Sequence, residues 1–158
     1  MPAASDPPAV DLPHTWRPLG VRLAGAVFGA ALFAVCAFAW FGFDADVRAR
    51  FNPLELITIV GLGAMFYAAG FALARSRVVA TAERLVVVNG YRRREYEWAE
   101  VVAISLPPGA PWAVLDLADG TSASAMGIQG SDGTRARTQV RELRAVLARA
   151  TSGPANSG

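Results

Sequence analysis

The chain has 158 residues, 53% of them apolar, and a formal charge of only +2; its mean hydropathy is +0.32. That charge is too small for the basic footprint nucleic-acid binding needs, and the hydropathy is high for one soluble domain. With one histidine and one cysteine, neither His- or Cys-based catalysis nor an internal disulfide has its parts.

In chain order, residues 1–18 carry five prolines, two aspartates and little apolar surface, and read as a flexible polar tail. His14 has no cluster of other ligands around it, which argues against a metal. Trp16, just ahead of the first apolar run, reads as an interfacial anchor, because an indole prefers the headgroup zone.

Residues 19–75 read as a two-helix transmembrane hairpin. Residues 23–43 and 56–74 contain no charge. As helices they run roughly 32 and 28 Å, close to the ~30 Å hydrocarbon core of a bilayer. A helix satisfies its own backbone where no water is available. Neither run keeps the polar stripe of a buried helix in a soluble protein. Arg17 and Arg22, followed by Ala37 and Ala39, imitate a cleavable signal peptide. The run is longer than an ordinary signal core, however, and a second run follows, so an uncleaved span is the better reading. Cys36 is a small apolar filler inside it.

Gly25 and Gly29 in the first run, and Gly61 and Gly63 in the second, are the expected helix-packing positions, since small residues let helices approach closely in lipid. Packing of the two spans on each other is the first expectation, and a homo-oligomer a second. In the loop 44–55, Asn52-Pro53 breaks the chain before the second helix. Two spans put both termini on one side. Arg17, Arg22, Arg75, Arg77 and Arg84 on that side outnumber Arg48 and Arg50 in the loop, which favours cytoplasmic termini in a multi-pass plasma-membrane protein.

From residue 76 to about 150 the texture changes to β structure. Residues 77–81 and 84–89 are rich in β-branched side chains. Asn89-Gly90 signals a tight hairpin in which both residues take positive φ, with 91–97 as the return strand. Residues 101–106, 112–118 and 121–126 read as further strands, with Asp119-Gly120 as a turn. A helix is expected from Asp132 to about Ala148, capped by Ser131 or Asp132; Ala136, Val140, Leu143 and Leu147 form its apolar stripe. Residues 151–158 read as a disordered tail.

The stretches TAERLVVVNGYRRR (81–94), WAEVVAI (98–104) and PWAVLDLADGT (111–121), with the arginine-rich helix, resemble the bacterial PH-domain membrane proteins of actinobacteria, a family that includes a mycobacterial low-molecular-weight antigen. The resemblance implies a bent antiparallel barrel of about seven strands, capped by the C-terminal amphipathic helix and preceded by the two-helix hairpin. It brings no catalytic motif, and a shared fold says little about ligand.

The residues themselves point to no enzyme, no metal and no cofactor. Gly127, Ile128, Gln129 and Gly130 have neither the spacing nor the lysine of a phosphate loop, and Asp116, Asp119 and Asp132 are explained by strand alternation and turns. Arg92, Arg93 and Arg94 are the one polar feature that stands out, and are the candidate contact for anionic lipid or a partner. Trp98 and Trp112 read as core or rim packing. The leading expectation is a non-enzymatic scaffold or adaptor at the cytoplasmic membrane. It would bind a protein partner through a barrel edge or the groove beside the C-terminal helix. Sensing of anionic lipid and service as an accessory subunit of a membrane complex are the alternatives.

Overall fold

Two apolar helices of 23 residues each dominate the computed structural model, which describes residues 10–152. Residues 1–9 of the expected polar tail and 153–158 of the expected disordered tail lie outside the described residues. Strand β1 (His14–Trp16) comes first, then helix α1 (Gly20–Gly42), a short helix α2 (Ala45–Arg50) and helix α3 (Pro53–Arg75). Strands β2 (Arg77–Ala80), β3 (Arg84–Asn89), β4 (Arg92–Glu97), β5 (Val101–Ser105), β6 (Trp112–Leu117) and β7 (Ser122–Gln129) follow, and helix α4 (Thr134–Thr151) ends the fold.

Helices α1 and α3 lie against each other and bury none of their side chains. Both are long and apolar enough to cross a membrane. Helix α3 starts where the sequence signals it. The Asn52 side chain accepts from the Glu55 amide at 2.9 Å and the Glu55 carboxylate from the Asn52 amide at 3.1 Å. With Pro53 in its first turn, this is a complete capping box. At the far end of the hairpin Phe51 packs on Trp40 and Phe43, with ring centroids 5.9 and 6.2 Å apart.

The polar-tail reading is corrected at residues 14–16. Prolines on either side forbid a helix but not an edge strand, and His14–Trp16 pairs antiparallel with β2, Trp16 opposite Val78. Trp16 is therefore no membrane anchor. It is 2% exposed, belongs to the domain core, and its indole Nε1–H donates to Glu142 on α4 at 2.8 Å. The domain is thus split in sequence, with its first strand ahead of the apolar hairpin and the other six behind it.

Strands β1 to β4 form one antiparallel sheet and β5 to β7 a second. Among the described residues no ladder joins them, so the expected barrel is two apposed sheets and is not closed. Asn89 bridges the gap: its side-chain amide donates to the Ser124 carbonyl at 2.6 Å and its Oδ1 accepts from the Met126 amide at 2.9 Å. Gly127 allows the approach, because a Cβ there would lie 2.6 Å from the backbone of Arg77 and Val78. The hairpin turn also sits one residue later than expected. Asn89 pairs with Arg92, Gly90 and Tyr91 make the loop, and only the glycine takes positive φ, 60°.

Both sheets and α4 contribute to a single core. Ala136, Val140, Leu143 and Leu147 are all buried in it, as the stripe predicts. Trp98 is buried and donates to the Thr81 carbonyl at 3.1 Å, and Trp112 is half-buried.

Candidate membrane-proximal interface

The domain meets the apolar hairpin at two joints, and neither contains a flexible linker. Only Ser76 separates α3 from β2, and three residues separate β1 from α1.

At the α3 joint Ser76 is fully buried. Its hydroxyl donates to the Ala72 carbonyl at 3.1 Å and accepts from the Gly90 amide at 2.9 Å, so one side chain ties the helix end to the β3–β4 turn. The turn lies flat on the helix because Gly90 lacks a side chain: a Cβ there would approach that of Ala72 to 3.3 Å. Tyr91 reaches back along α3 and donates its hydroxyl to the Ala68 carbonyl at 3.1 Å. Its ring lies 5.3 Å from the Arg75 guanidinium, a cation–π distance. Arg75 occupies the last turn of α3, where a cation complements the helix dipole.

The α1 joint shows where Asp132 acts. It was expected as a cap for α4, but α4 has no side-chain cap and begins after Gly133. The Asp132 carboxylate instead crosses to α1, accepting from the Leu19 and Gly20 amides at 2.9 Å each. Helix α1 has no cap of its own at Leu19, so a residue 112 positions away in sequence satisfies its first amides. No local pattern reveals such a cap, because the donor and acceptor lie in different segments.

The candidate contact residues are brought together only in part. Arg92, Arg93 and Arg94 are all exposed on β4. Alternation sets Arg93 on the opposite face from Arg92 and Arg94, and Arg93 pairs with Glu95 at 2.6 Å. Arg84 pairs with the same carboxylate, also at 2.6 Å. The hydrogen bond from Arg84 is the main reason the Glu95 carboxyl lies below its ordinary range. The three arginines are therefore not one patch. Sequence reasoning missed Arg75 and Tyr91 as neighbours, since only the folded turn brings them together.

The expected helix-packing glycines lie on open faces. A Cβ added at Gly25, Gly29, Gly61 or Gly63 meets nothing within 4 Å, so in the single chain they serve no close approach of α1 to α3. Beside the start of α4 there is a groove of about 460 Å³ between the 106–111 loop and residues Gly130, Ser131 and Arg137. It adjoins the α1 joint, because Ser131 and Gly133 in its wall flank Asp132. Among the described residues no three His, Cys, Asp or Glu side chains converge as metal ligands would.

Comparison with known proteins gives two findings. The Bacterial PH domain family model matches residues 75–145, which leaves β1 outside the matched segment. The chain is also 31% identical over 147 residues to the uncharacterized proteins Rv1417 of Mycobacterium tuberculosis and Mb1452 of Mycobacterium bovis, covering 93% of this chain and 93% of each relative. No solved structure matches.

Proposed function

Because this chain belongs to the bacterial PH-domain family, we propose that it is a membrane-anchored, non-enzymatic adaptor that holds its domain against the bilayer in one orientation and offers the groove beside α4 to a protein partner. The double joint carries this reading. A module that needed only to be kept near a membrane could hang on a flexible linker. Here both helix ends are hydrogen-bonded into the domain, at Asp132 and at Ser76. Fixed height and tilt matter when a partner is also held at the membrane, because they cut the orientational cost of the encounter. The exposed edge of β4, with three arginines and two glutamates among its six residues, is poorly suited to strand addition, which leaves the groove as the better docking surface.

The test is in-cell photocrosslinking on the full chain, with the reactive residue at Pro108 or Arg137 in the groove. A discrete protein adduct is expected at both positions. It should be lost when a flexible Gly/Ser segment is inserted after Arg75. Adducts confined to lipid or to a second copy of the chain would sink the adaptor reading.

A further inference from the structure

Helix α4 carries unmatched positive charge along one flank. Arg137 lines the groove beside the 106–111 loop. Arg144, seven residues on, donates its Nε–H to the Ile104 carbonyl at 2.6 Å, so it faces the strand that leads into that loop. Arg141 falls between them at helical spacings of four and three, on the same flank. The three guanidinium groups span roughly 10 Å of the helix axis. None has a carboxylate partner among the described residues. Residues 101–113 contain no acid, and Glu142 is the one carboxylate of α4. Glu142 is engaged by the Trp16 indole, and Asp132 by the Leu19 and Gly20 amides. The flank therefore has no internal counter-charge.

The groove at the start of this flank is preformed. The Gly130 amide donates to the Pro111 carbonyl at 2.9 Å and the Ala110 amide to the Pro107 carbonyl at 3.0 Å, and Pro107, Pro108 and Pro111 stiffen the wall. The opposite wall adjoins Asp132, which holds the Gly20 amide, about 5 Å along the axis from the start of the apolar run at Leu23. If α1 crosses the bilayer, the groove opens at the membrane surface. The chain leading into α1 runs antiparallel along α4, Trp16 bonded to Glu142 and the Val10 carbonyl to Arg149. Arg141 and Arg144 therefore lie progressively farther from the head of α1. A lipid phosphate offers a charge but no side chain to a groove walled by proline.

We propose that this surface receives an acidic segment lying just outside a membrane span of the partner protein, with an apolar side chain in the groove and carboxylates along Arg137, Arg141 and Arg144. The inference rests on the adaptor reading and names the chemistry of its partner. About three or four extended residues match the length of the arginine flank.

The full chain, with the photoreactive residue at Pro108, is reconstituted in phosphatidylcholine nanodiscs that contain a probe peptide coupled to a phosphatidylethanolamine headgroup. The probe has two leucines next to the anchor and four glutamates beyond them. It is expected to crosslink more strongly than its glutamine counterpart, and more strongly than a reversed peptide with the glutamates next to the anchor. Arg137→Gln/Arg141→Gln should weaken the adduct by about 2- to 30-fold, while Arg135→Gln, on another flank of α4, keeps it. Equal reaction of the glutamate and glutamine peptides, equal reaction of the reversed peptide, no change in the double variant, or an equal fall in Arg135→Gln would each overturn the inference. So would replacement of the peptide adduct by a lipid adduct when phosphatidylglycerol is added at the same charge density. The peptide comparisons on the unaltered arginines carry the test should the double variant fail to fold. A discrete protein adduct in cells, combined with equal reaction of the two peptides, would leave the adaptor reading standing and overturn this one alone; lipid-only adducts in cells would overturn both.

Discussion

Removing the Asp132 carboxylate should loosen the first turn of α1, although the two residues lie in different halves of the chain. In Asp132→Ala the Leu19 and Gly20 amides lose an acceptor at 2.9 Å each. Loss of a capping side chain costs about 0.5–2 kcal/mol, and loss of a negative charge at a helix start typically about 0.3–1 kcal/mol. Water can reach this half-exposed site, so the sum falls near the lower end, about 1–2 kcal/mol. That corresponds to roughly 5- to 30-fold faster opening. Amide hydrogen exchange on the full chain in nanodiscs reads it directly. Protection at Leu19 and Gly20 should fall by that factor, while amides in the middle of α1 stay unchanged.

Gly20→Ala supplies a check whose sign is opposite to the simplest expectation. Alanine is the better helix former by about 1 kcal/mol, which predicts slower exchange. A Cβ at Gly20, however, would stand 2.7 Å from the Asp132 Oδ1 atom, so the carboxylate must shift away and its bonds to the two amides lengthen. The structure therefore predicts faster exchange at Leu19 in this variant. Slower exchange in Gly20→Ala, or unchanged protection in Asp132→Ala, would refute the cap.

Trp16→Ala should cost about 3–5 kcal/mol and unfold much of the domain, read as loss of near-ultraviolet circular dichroism in detergent; if only membrane partitioning changes, Trp16 is the anchor its sequence position suggests. Gly127→Ala forces a Cβ into the β2 backbone at 2.6 Å and should lower the Tm by at least about 5 °C, at an overpacking cost of about 1–3 kcal/mol. Gly25→Ala, which meets open space, should leave the Tm unchanged or raised, and a fall there would reveal a close helix contact with a second copy. The Glu95 carboxyl is held low, first by its hydrogen bond from Arg84. Its contribution is therefore complete above the ordinary glutamate value and is lost as pH falls through the depressed folded value. Chemical shifts of β3 and β4 should move together in that acid window, and the movement should shrink in high salt.

Much of this fold is legible because its signals are local. The apolar runs, the Asn52 cap, the β-branched strands and the four-three-four stripe on α4 each lie within one segment. What was not legible depends on pairing across the hairpin. His14, Thr15 and Trp16 make too short a run to show alternation, and their prolines point to a tail. The one available hint was a count: six strands could be read after the hairpin where the resembled fold needs about seven. Asp132 and Ser76 are equally silent, because each is a common residue at a turn and acquires its role only from the helix end that arrives beside it. Arg92, Arg93 and Arg94 show the opposite error. Adjacent charges in sequence suggest one patch, but a strand sends neighbours to opposite faces.

The early position of β1 also bears on topology without any count of arginines. Strand β1 pairs with β2, so residues 14–16 and 77–80 must lie on the same side of any bilayer. The chain between them must then cross any such bilayer an even number of times, and the two apolar helices of 23 residues are each long enough for one crossing. A single span would tear the sheet apart. Cleavage after Ala39 would do so as well, since it would carry off Trp16 and leave the Val78 side of β2 without its partner strand. The hairpin is therefore not an anchor appended to a finished domain. It is a loop of the domain itself, lengthened until it is long enough to cross a membrane, and the two joints at Asp132 and Ser76 are where that loop leaves and re-enters the fold.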